Sequence, residues 1–208
     1  MGQLRVRLSR PQREEQLVSA ARALFGERGY AGVTMDDVAR AVGVTKPLLY
    51  AYFGNKERLF LACLEPAAEE LVETVVDAVA AAEDPAQALE LGVHAFFAFV
   101  DRNRDSWRVL FDDTVPPSGQ LARWVGDHRD RIETMVARAL LARMPARRRQ
   151  RAAVEVEALS VALLAASEAL ARWWVRTGAL SAAQAADLLV TTIEPGLRAR
   201  ATGQGAAA

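Results

Sequence analysis

Apolar residues recur every three or four positions along most of this chain, which is the spacing of amphipathic α-helices. The first such set comprises Leu17, Ala21, Leu24 and Phe25. Proline is well tolerated in the first turn of a helix, so this helix is predicted to begin near Pro11. Gly29 is predicted to end it, because glycine commonly stops helices.

Two short helices are predicted next, joined by a tight turn. Thr34 and Asp37 have the spacing of a capping box, and the apolar face of the first short helix comprises Val38, Ala39 and Val42. Gly43 supplies a left-handed turn residue, and Thr45 is placed to cap the second short helix.

The second short helix directs Leu49 and Phe53 inward, four residues apart. Its outer surface then comprises Lys46, Pro47, Tyr50 and Ala51. Such a pair is a helix-turn-helix over residues 34–53, whose second helix has the size to enter a DNA major groove.

The remaining pattern predicts six longer segments that begin or end at proline, glycine or capping residues. They are 56–82, 84–102, 104–113, 120–143, 146–176 and 181–203. Asn55 caps the first, Ser181 caps the last, Pro66 is expected to bend the first, and residues 194–196 are expected to disturb the last. The expectation is an all-α chain with about nine helices.

Composition agrees with this class, since alanine, leucine and arginine favour helices and β-branched residues are scarce. Net charge is zero, but residues 1–60 hold ten Lys and Arg against six Asp and Glu, whereas residues 61–208 hold sixteen against twenty. This asymmetry indicates either a basic end that binds a polyanion or a chance fluctuation of four charges.

Several function classes are disfavoured. The single cysteine, Cys63, excludes an internal disulfide framework, and no apolar run is long enough to span a membrane. Cys63, His94 and His128 lack zinc-ligand spacing, and no glycine-rich phosphate loop is present. We therefore expect a cytoplasmic protein that is not an enzyme and has no catalytic residues, cofactor or metal.

The run TMDDVARAVGVTKPLLYAYFGNKERLF at residues 34–60 resembles the DNA-binding signature of TetR-type transcriptional regulators. ARALF at residues 21–25 and Gly29-Tyr30 are similar to that family's first helix and its glycine stop. The resemblance implies a helix-turn-helix domain at 10–60 and an effector-binding and dimerisation domain at 61–203. The arginine-rich residues 1–9 are expected to form a loose basic arm, and the glycine- and alanine-rich residues 204–208 a tail.

The resemblance also implies roles for single residues. Those expected to contact a palindromic operator are Thr34, Thr45, Lys46, Pro47, Leu48, Tyr50, Tyr52 and Lys56. Three depart from the commonest pattern of the family: Pro47 replaces a glycine, Leu48 a threonine and Tyr52 a histidine. Leu48 trades a hydroxyl for an apolar surface that could contact a thymine methyl group.

The second domain is expected to bind a small apolar or amphipathic effector. Ligand pockets are mostly apolar with a few polar groups, which selects His94, Phe97, Trp107, Phe111, Trp124, Glu168, Arg172 and Trp173. These residues could equally be ordinary core aromatics and solvated charges. Trp173 and Trp174 cannot both face inward, since they are consecutive on one helix.

Helices 146–176 and 181–203 carry apolar stripes suited to a homodimer, although the same stripes could cover the monomer's own core. The first stripe comprises Leu159, Ala162 or Leu163, Ala166 and Leu170, and the second comprises Ala185, Leu188, Leu189 and Ile193.

Two functions remain open. The first is a dimeric repressor released from double-stranded operator DNA by an effector. The second is a helical ligand- or partner-binding module that no longer reads DNA, which the apolar Leu48 and the small Ala51 keep open.

Overall fold

The structure, a computed structural model, describes residues 8–110, 118–142, 144 and 146–201. Within these ranges the chain forms nine α-helices and no strand, as the pattern predicts. They are α1 Arg10–Arg28, α2 Met35–Val42, α3 Lys46–Phe53, α4 Lys56–Ala80, α5 Pro85–Arg102, α6 Arg104–Leu110, α7 Gln120–Ala142, α8 Ala146–Thr177 and α9 Ala182–Ala201.

The predicted capping box at the start of α2 is confirmed. The Asp37 amide donates to Thr34 Oγ1 at 3.2 Å, and the Thr34 amide donates to Asp37 Oδ2 at 2.9 Å. Gly43 ends the helix with φ 70° and ψ 36°, a left-handed conformation that side chains disfavour. The turn into α3 is therefore specified locally.

Thr45 is the N-cap residue of α3, but its side chain makes no capping hydrogen bond. A capping hydroxyl accepts from the second or third amide of its helix. Here the second residue is Pro47, which has no amide hydrogen, and the third, Leu48, donates to the Thr45 carbonyl at 3.1 Å. The predicted position of the cap at Thr45 is therefore confirmed, but the capping hydrogen bond expected from its side chain is not made.

By their contacts, the residues form two compact units that interleave along the chain. The first comprises residues up to 67 together with 105–124, and the second comprises residues 68–104 together with those from 125 onward. Helix α4 therefore contributes its first half to one unit and its second half to the other. Helix α7 is also divided, but unequally: residues 120–124 belong to the first unit and the rest of the helix to the second.

The core of the first unit holds α1–α3 against the start of α4. Its fully buried side chains include Leu17, Phe25, Val38, Leu49 and Phe60. The Phe25 and Phe60 rings meet edge to face with centroids 4.8 Å apart, a favourable aromatic geometry. Helix α3 is thus anchored by buried side chains such as Leu49, which the helical spacing predicts to face inward.

The core of the second unit is built around α5, α8 and α9. Trp174 is fully buried, and its ring meets that of Phe97 with centroids 5.8 Å apart. Its indole Nε1–H donates to the carbonyl of Leu180 at 2.6 Å. Trp173 is 40% exposed, which confirms that only one of the two consecutive tryptophans faces inward.

Two helices continue through an internal proline. Pro66 lies within α4, and Pro195 lies within α9, which extends to Ala201. Residues 194–196 therefore do not interrupt the last helix, contrary to the sequence-based expectation. A proline removes one amide donor, and the hydrogen bonds on either side are sufficient to continue the helix here.

Cys63 provides a first test of the core of the first unit. Its side chain is buried, and burial raises the pKa of the thiol to about 12. Because the thiolate is the reactive form, we expect Cys63 of the native protein to resist Ellman's reagent at pH 8. After unfolding in guanidinium chloride, the same thiol should react completely. Rapid, complete labelling of the native protein would contradict this placement.

Candidate nucleic-acid interface

The outer face of α3 is the surface that can meet DNA. Leu49 and Phe53 are buried, and Lys46, Pro47, Leu48, Tyr50 and Ala51 are exposed. This confirms the predicted division of the helix into an inner and an outer face. Eight residues at a rise of about 1.5 Å make a helix about 12 Å long, close to the width of the major groove.

The two predicted threonine contacts differ in how their hydroxyls are engaged. Thr34 donates its hydroxyl hydrogen to Asp37 Oδ2 at 2.6 Å, so this hydrogen already serves the cap of α2. The exposed Thr45 hydroxyl takes no part in capping α3. Thr45 therefore has the better-placed hydroxyl donor for a phosphate at the entrance of the recognition helix.

Lys46, the first residue of α3, forms an ion pair with Asp36 of α2. Its Nζ lies 3.0 Å from each carboxylate oxygen of Asp36. The hydrogen bond to Asp36 raises the pKa of Lys46 from its ordinary value, and the charge of the carboxylate adds to this effect. Lys46 is fully charged at neutral pH, but its charge is partly compensated.

The two tyrosines of α3 have different surroundings. Tyr50 is 41% exposed, as expected of a side chain that reads a groove. Tyr52 is half-buried, and the guanidinium carbon of Arg10 lies 5.7 Å from its ring centroid. This cation–π distance brings a positive charge from the start of α1 beside the recognition helix.

The start of α4 holds Lys56 beside an aromatic ring. Asn55 caps this helix as predicted, since its Oδ1 accepts from the Arg58 amide at 2.8 Å. Lys56 Nζ lies 4.2 Å from the centroid of the Tyr30 ring, within cation–π range. Burial, followed by the charge of Glu57, raises the pKa of Tyr30, so its phenol stays protonated.

Chemically, this surface suits duplex DNA. Lys46, Lys56 and Arg10 supply cations for phosphates, and Tyr50 offers a phenol that can donate or accept a hydrogen bond. Leu48 adds an exposed apolar side chain of the kind that contacts thymine methyl groups.

The residues predicted to bind an effector are divided between the two units. Trp107, which is buried, and Trp124, which is half-buried, belong to the first unit. Those described in the second unit are His94, Phe97, Glu168, Arg172 and Trp173. Phe111 lies outside the described residues.

Two of the predicted polar effector residues already have partners in the second unit. The buried Glu168 carboxylate accepts a hydrogen bond from Arg129 of α7. His94 Nε2 lies 3.1 Å from Asp187 Oδ1 of α9. Phe97 packs in the core, whereas Arg172 and Trp173 are exposed on α8. The effector role of these five residues stays a prediction.

Sequence reasoning missed several polar contacts. It did not identify Asp36 as the partner of Lys46, nor Arg10 as the partner of Tyr52. It also missed Glu57, whose Oε1 accepts from the amide of Leu121 at the start of α7 at 2.7 Å. The opposite charges of Asp36 and Lys46, each in the first turn of its short helix, were a usable signal. Glu57 and Leu121 are 64 positions apart, and no local pattern connects them.

Family models match both parts of the chain. The model described as "Bacterial regulatory proteins, tetR family" matches residues 17–63, and the model described as "Tetracyclin repressor-like, C-terminal domain" matches residues 85–195. The chain belongs to the TetR family. It is therefore a DNA-binding regulator of transcription, and the first match contains the whole helix-turn-helix.

Individual relatives support the assignment to the TetR family. The HTH-type transcriptional activator FasR of Mycolicibacterium smegmatis is 32% identical over 169 residues, which span 81% of this chain and 75% of FasR. The crystal structure of a TetR-like transcriptional regulator from Rhodococcus sp. RHA1 is 32% identical with a TM-score of 0.73, covering 92% of this chain and 99% of that one.

A third comparison shows the shared fold alone. The structure of AibR in complex with isovaleryl coenzyme A and operator DNA is 20% identical with a TM-score of 0.68. It covers 86% of this chain and 97% of AibR.

Among the described helices, none combines the length and apolar character that a membrane crossing needs.

Proposed function

We propose that this TetR-family regulator binds a palindromic operator as a homodimer and is released from it by a small amphipathic effector. The exposed face of α3 carries the proposal, with Lys46, Leu48 and Tyr50 turned to solvent and Leu49 buried beneath them. Residues 10–60 would form the DNA-binding domain and residues 61–203 the effector and dimer domain.

The homodimer is supported by an apolar stripe on the solvent side of α8. Its exposed members are Val154, Ala158, Val161, Ala165 and Ala169, spaced by three or four residues. The stripe predicted from sequence is half-buried at Leu159, Leu163 and Leu170, so the exposed stripe lies beside it on the helix. On α9, Leu188 is exposed whereas Ala185 and Leu189 are buried.

A second copy of the chain is the occupant that suits this stripe. Small residues let two helices approach closely. Removing the apolar stripe from water would stabilise a dimer formed through it. A twofold dimer also presents two recognition helices to half-sites about 34 Å apart, as a palindromic operator requires.

The effector proposal rests on the second unit and on AibR, a protein of the same fold whose structure holds isovaleryl coenzyme A. Helix α4 begins directly after α3 and continues into the second unit. An effector that prefers another position of α4 would change the spacing of the two α3 helices and so lower operator affinity. The protein would act in the cytoplasm, where bacterial DNA lies, and would catalyse no reaction.

Activation is the second candidate, because FasR is described as a transcriptional activator. Repression and activation differ in where the operator lies relative to the promoter. A site that overlaps the promoter supports repression, and a site upstream of it supports activation.

The first experiment is selection from sheared genomic DNA of the source organism with purified protein and no added ligand. Enrichment of a twofold-symmetric site would support the proposal and give the operator sequence. If no site is enriched at low salt, the ligand-released regulator is contradicted.

Tyr50→Ala tests whether the exposed face of α3, called here the reading face, contacts the selected operator. We expect affinity to fall at least about tenfold, since a lost groove contact costs about 1–3 kcal/mol in each half-site. Fluorescence anisotropy with a labelled operator duplex measures this. Val76→Ala is the matched control, because Val76 and Tyr50 are both 41% exposed and Val76 lies on α4 outside the reading face. Equal affinities of the two variants would exclude Tyr50 from the interface.

A further inference from the structure

Two consecutive aspartates in the first turn of α2 have different partners. Asp37 closes the capping box with Thr34. Asp36 instead reaches the first residue of the recognition helix, with both carboxylate oxygens 3.0 Å from Lys46 Nζ. Only Asp37 takes part in the capping box, so the box does not explain the contact of Asp36 with Lys46.

The position of Asp36 is electrostatically unfavourable for binding DNA. Its side chain is 53% exposed and that of Lys46 is 52% exposed, so both can face a phosphate backbone. A carboxylate there repels phosphates, and it also occupies the cation that would attract them. Asp36 and a phosphate therefore compete for the same exposed cation.

We infer that Asp36 is a specificity-determining residue that holds Lys46 away from the DNA backbone and so limits sequence-independent binding. The inference rests on the proposed DNA-binding function and concerns how strongly the same surface binds DNA without its operator. Lys46 must leave Asp36 before it can neutralise a phosphate.

The Asp36 carboxylate lowers sequence-independent DNA binding more than it lowers operator binding. Such binding depends almost entirely on phosphate neutralisation and counterion release, whereas operator binding also uses base contacts from α3. Removing the Asp36 charge therefore strengthens binding to any duplex, and it does so more on random sequence, where the protein can settle wherever Lys46 meets a phosphate, than on the operator, where base contacts fix the position of α3. The ratio of operator to random-sequence affinity falls as a result.

The test uses a random-sequence duplex and the selected operator, each titrated from low to moderate salt. Asp36→Asn keeps the size of the side chain and removes its charge. We expect at least about a fivefold gain in affinity for the random duplex, a smaller gain for the operator, and a salt slope steeper by about two units, because each protomer of the proposed dimer neutralises one more phosphate.

A double-mutant cycle separates this mechanism from a general effect of charge. In a Lys46→Met background, Asp36→Asn should give a clearly smaller gain, because the carboxylate still repels phosphates but the cation that Asp36 restrains is gone. Circular dichroism of each variant checks that the helices are retained. A full gain in the Lys46→Met background, or an unchanged salt slope in Asp36→Asn alone, would overturn the inference.

DNA binding by the wild-type protein distinguishes failure of the Asp36 inference from failure of the proposed function. If it binds the operator and the random duplex while Asp36→Asn behaves identically, only the inference about Asp36 fails. If it binds neither duplex at low salt, the proposed function fails and the inference fails with it.

Discussion

Replacing Trp174 with alanine should lower the free energy of unfolding by about 3–5 kcal/mol, the range found when large aromatic side chains are removed from cores. Trp174 is fully buried, packs against Phe97, and donates its indole hydrogen to the Leu180 carbonyl. The substitution leaves a cavity between α5 and α8 and an unpaired carbonyl before α9. Urea unfolding followed by far-ultraviolet circular dichroism, at one fixed protein concentration, measures the loss.

Two further variants show whether the loss of unfolding free energy comes from the buried ring of Trp174. Trp174→Phe keeps a ring against Phe97 and loses the indole hydrogen bond, so it should cost clearly less than Trp174→Ala. Trp173→Ala, at the neighbouring and 40% exposed position, should also cost less. If Trp173→Ala proved as destabilising as Trp174→Ala, the inward placement of Trp174 would be wrong.

Local pattern is sufficient to predict most of the first unit. The spacing of Leu49 and Phe53 predicts which face of α3 is buried, and the Thr34–Asp37 pair predicts where α2 begins. These features depend on residues within about one helical turn of each other, so a sequence read in order contains the necessary information. The reading face of α3 follows directly from them.

Two hydrogen-bonding features were not predicted, the first for a local reason and the second because it joins distant segments. Thr45 has the residue type of a cap, but Pro47 and the Leu48 amide leave its hydroxyl nothing to accept from within the helix. The buried Glu168 is paired with Arg129 from another helix, and 39 positions separate the two. Packing between distant segments decides such contacts, and periodicity carries no information about them.

The exposed stripe of α8 is an intermediate case. Helical spacing shows that α8 is apolar over more than one face, but it does not show which face the monomer covers. The structure buries Val156 and Ser160 and leaves Val154 and Val161 exposed. A helix with apolar residues on both its inner and outer sides needs a second partner, which is the physical basis for proposing the homodimer.

Val161→Arg should convert the protein to a monomer at micromolar concentration and reduce operator affinity by about a hundredfold or more. Val161 is 44% exposed in the single chain, so arginine is accommodated there without disturbing the monomer core. In a twofold dimer the same substitution occurs on both copies, and two charges are then placed in an apolar interface without partners. Sedimentation equilibrium measures the assembly, and fluorescence anisotropy measures operator binding.

The matched control is Val76→Arg, since Val76 is a valine of nearly equal exposure, 41%, on α4. It should remain dimeric and bind the operator as wild type does. Loss of operator binding should accompany loss of the dimer, because a single recognition helix contacts only one half-site and forfeits the contribution of the second. A Val161→Arg protein that stays dimeric would exclude this stripe from the interface. A monomeric variant that keeps full operator affinity would instead show that the second half-site adds nothing.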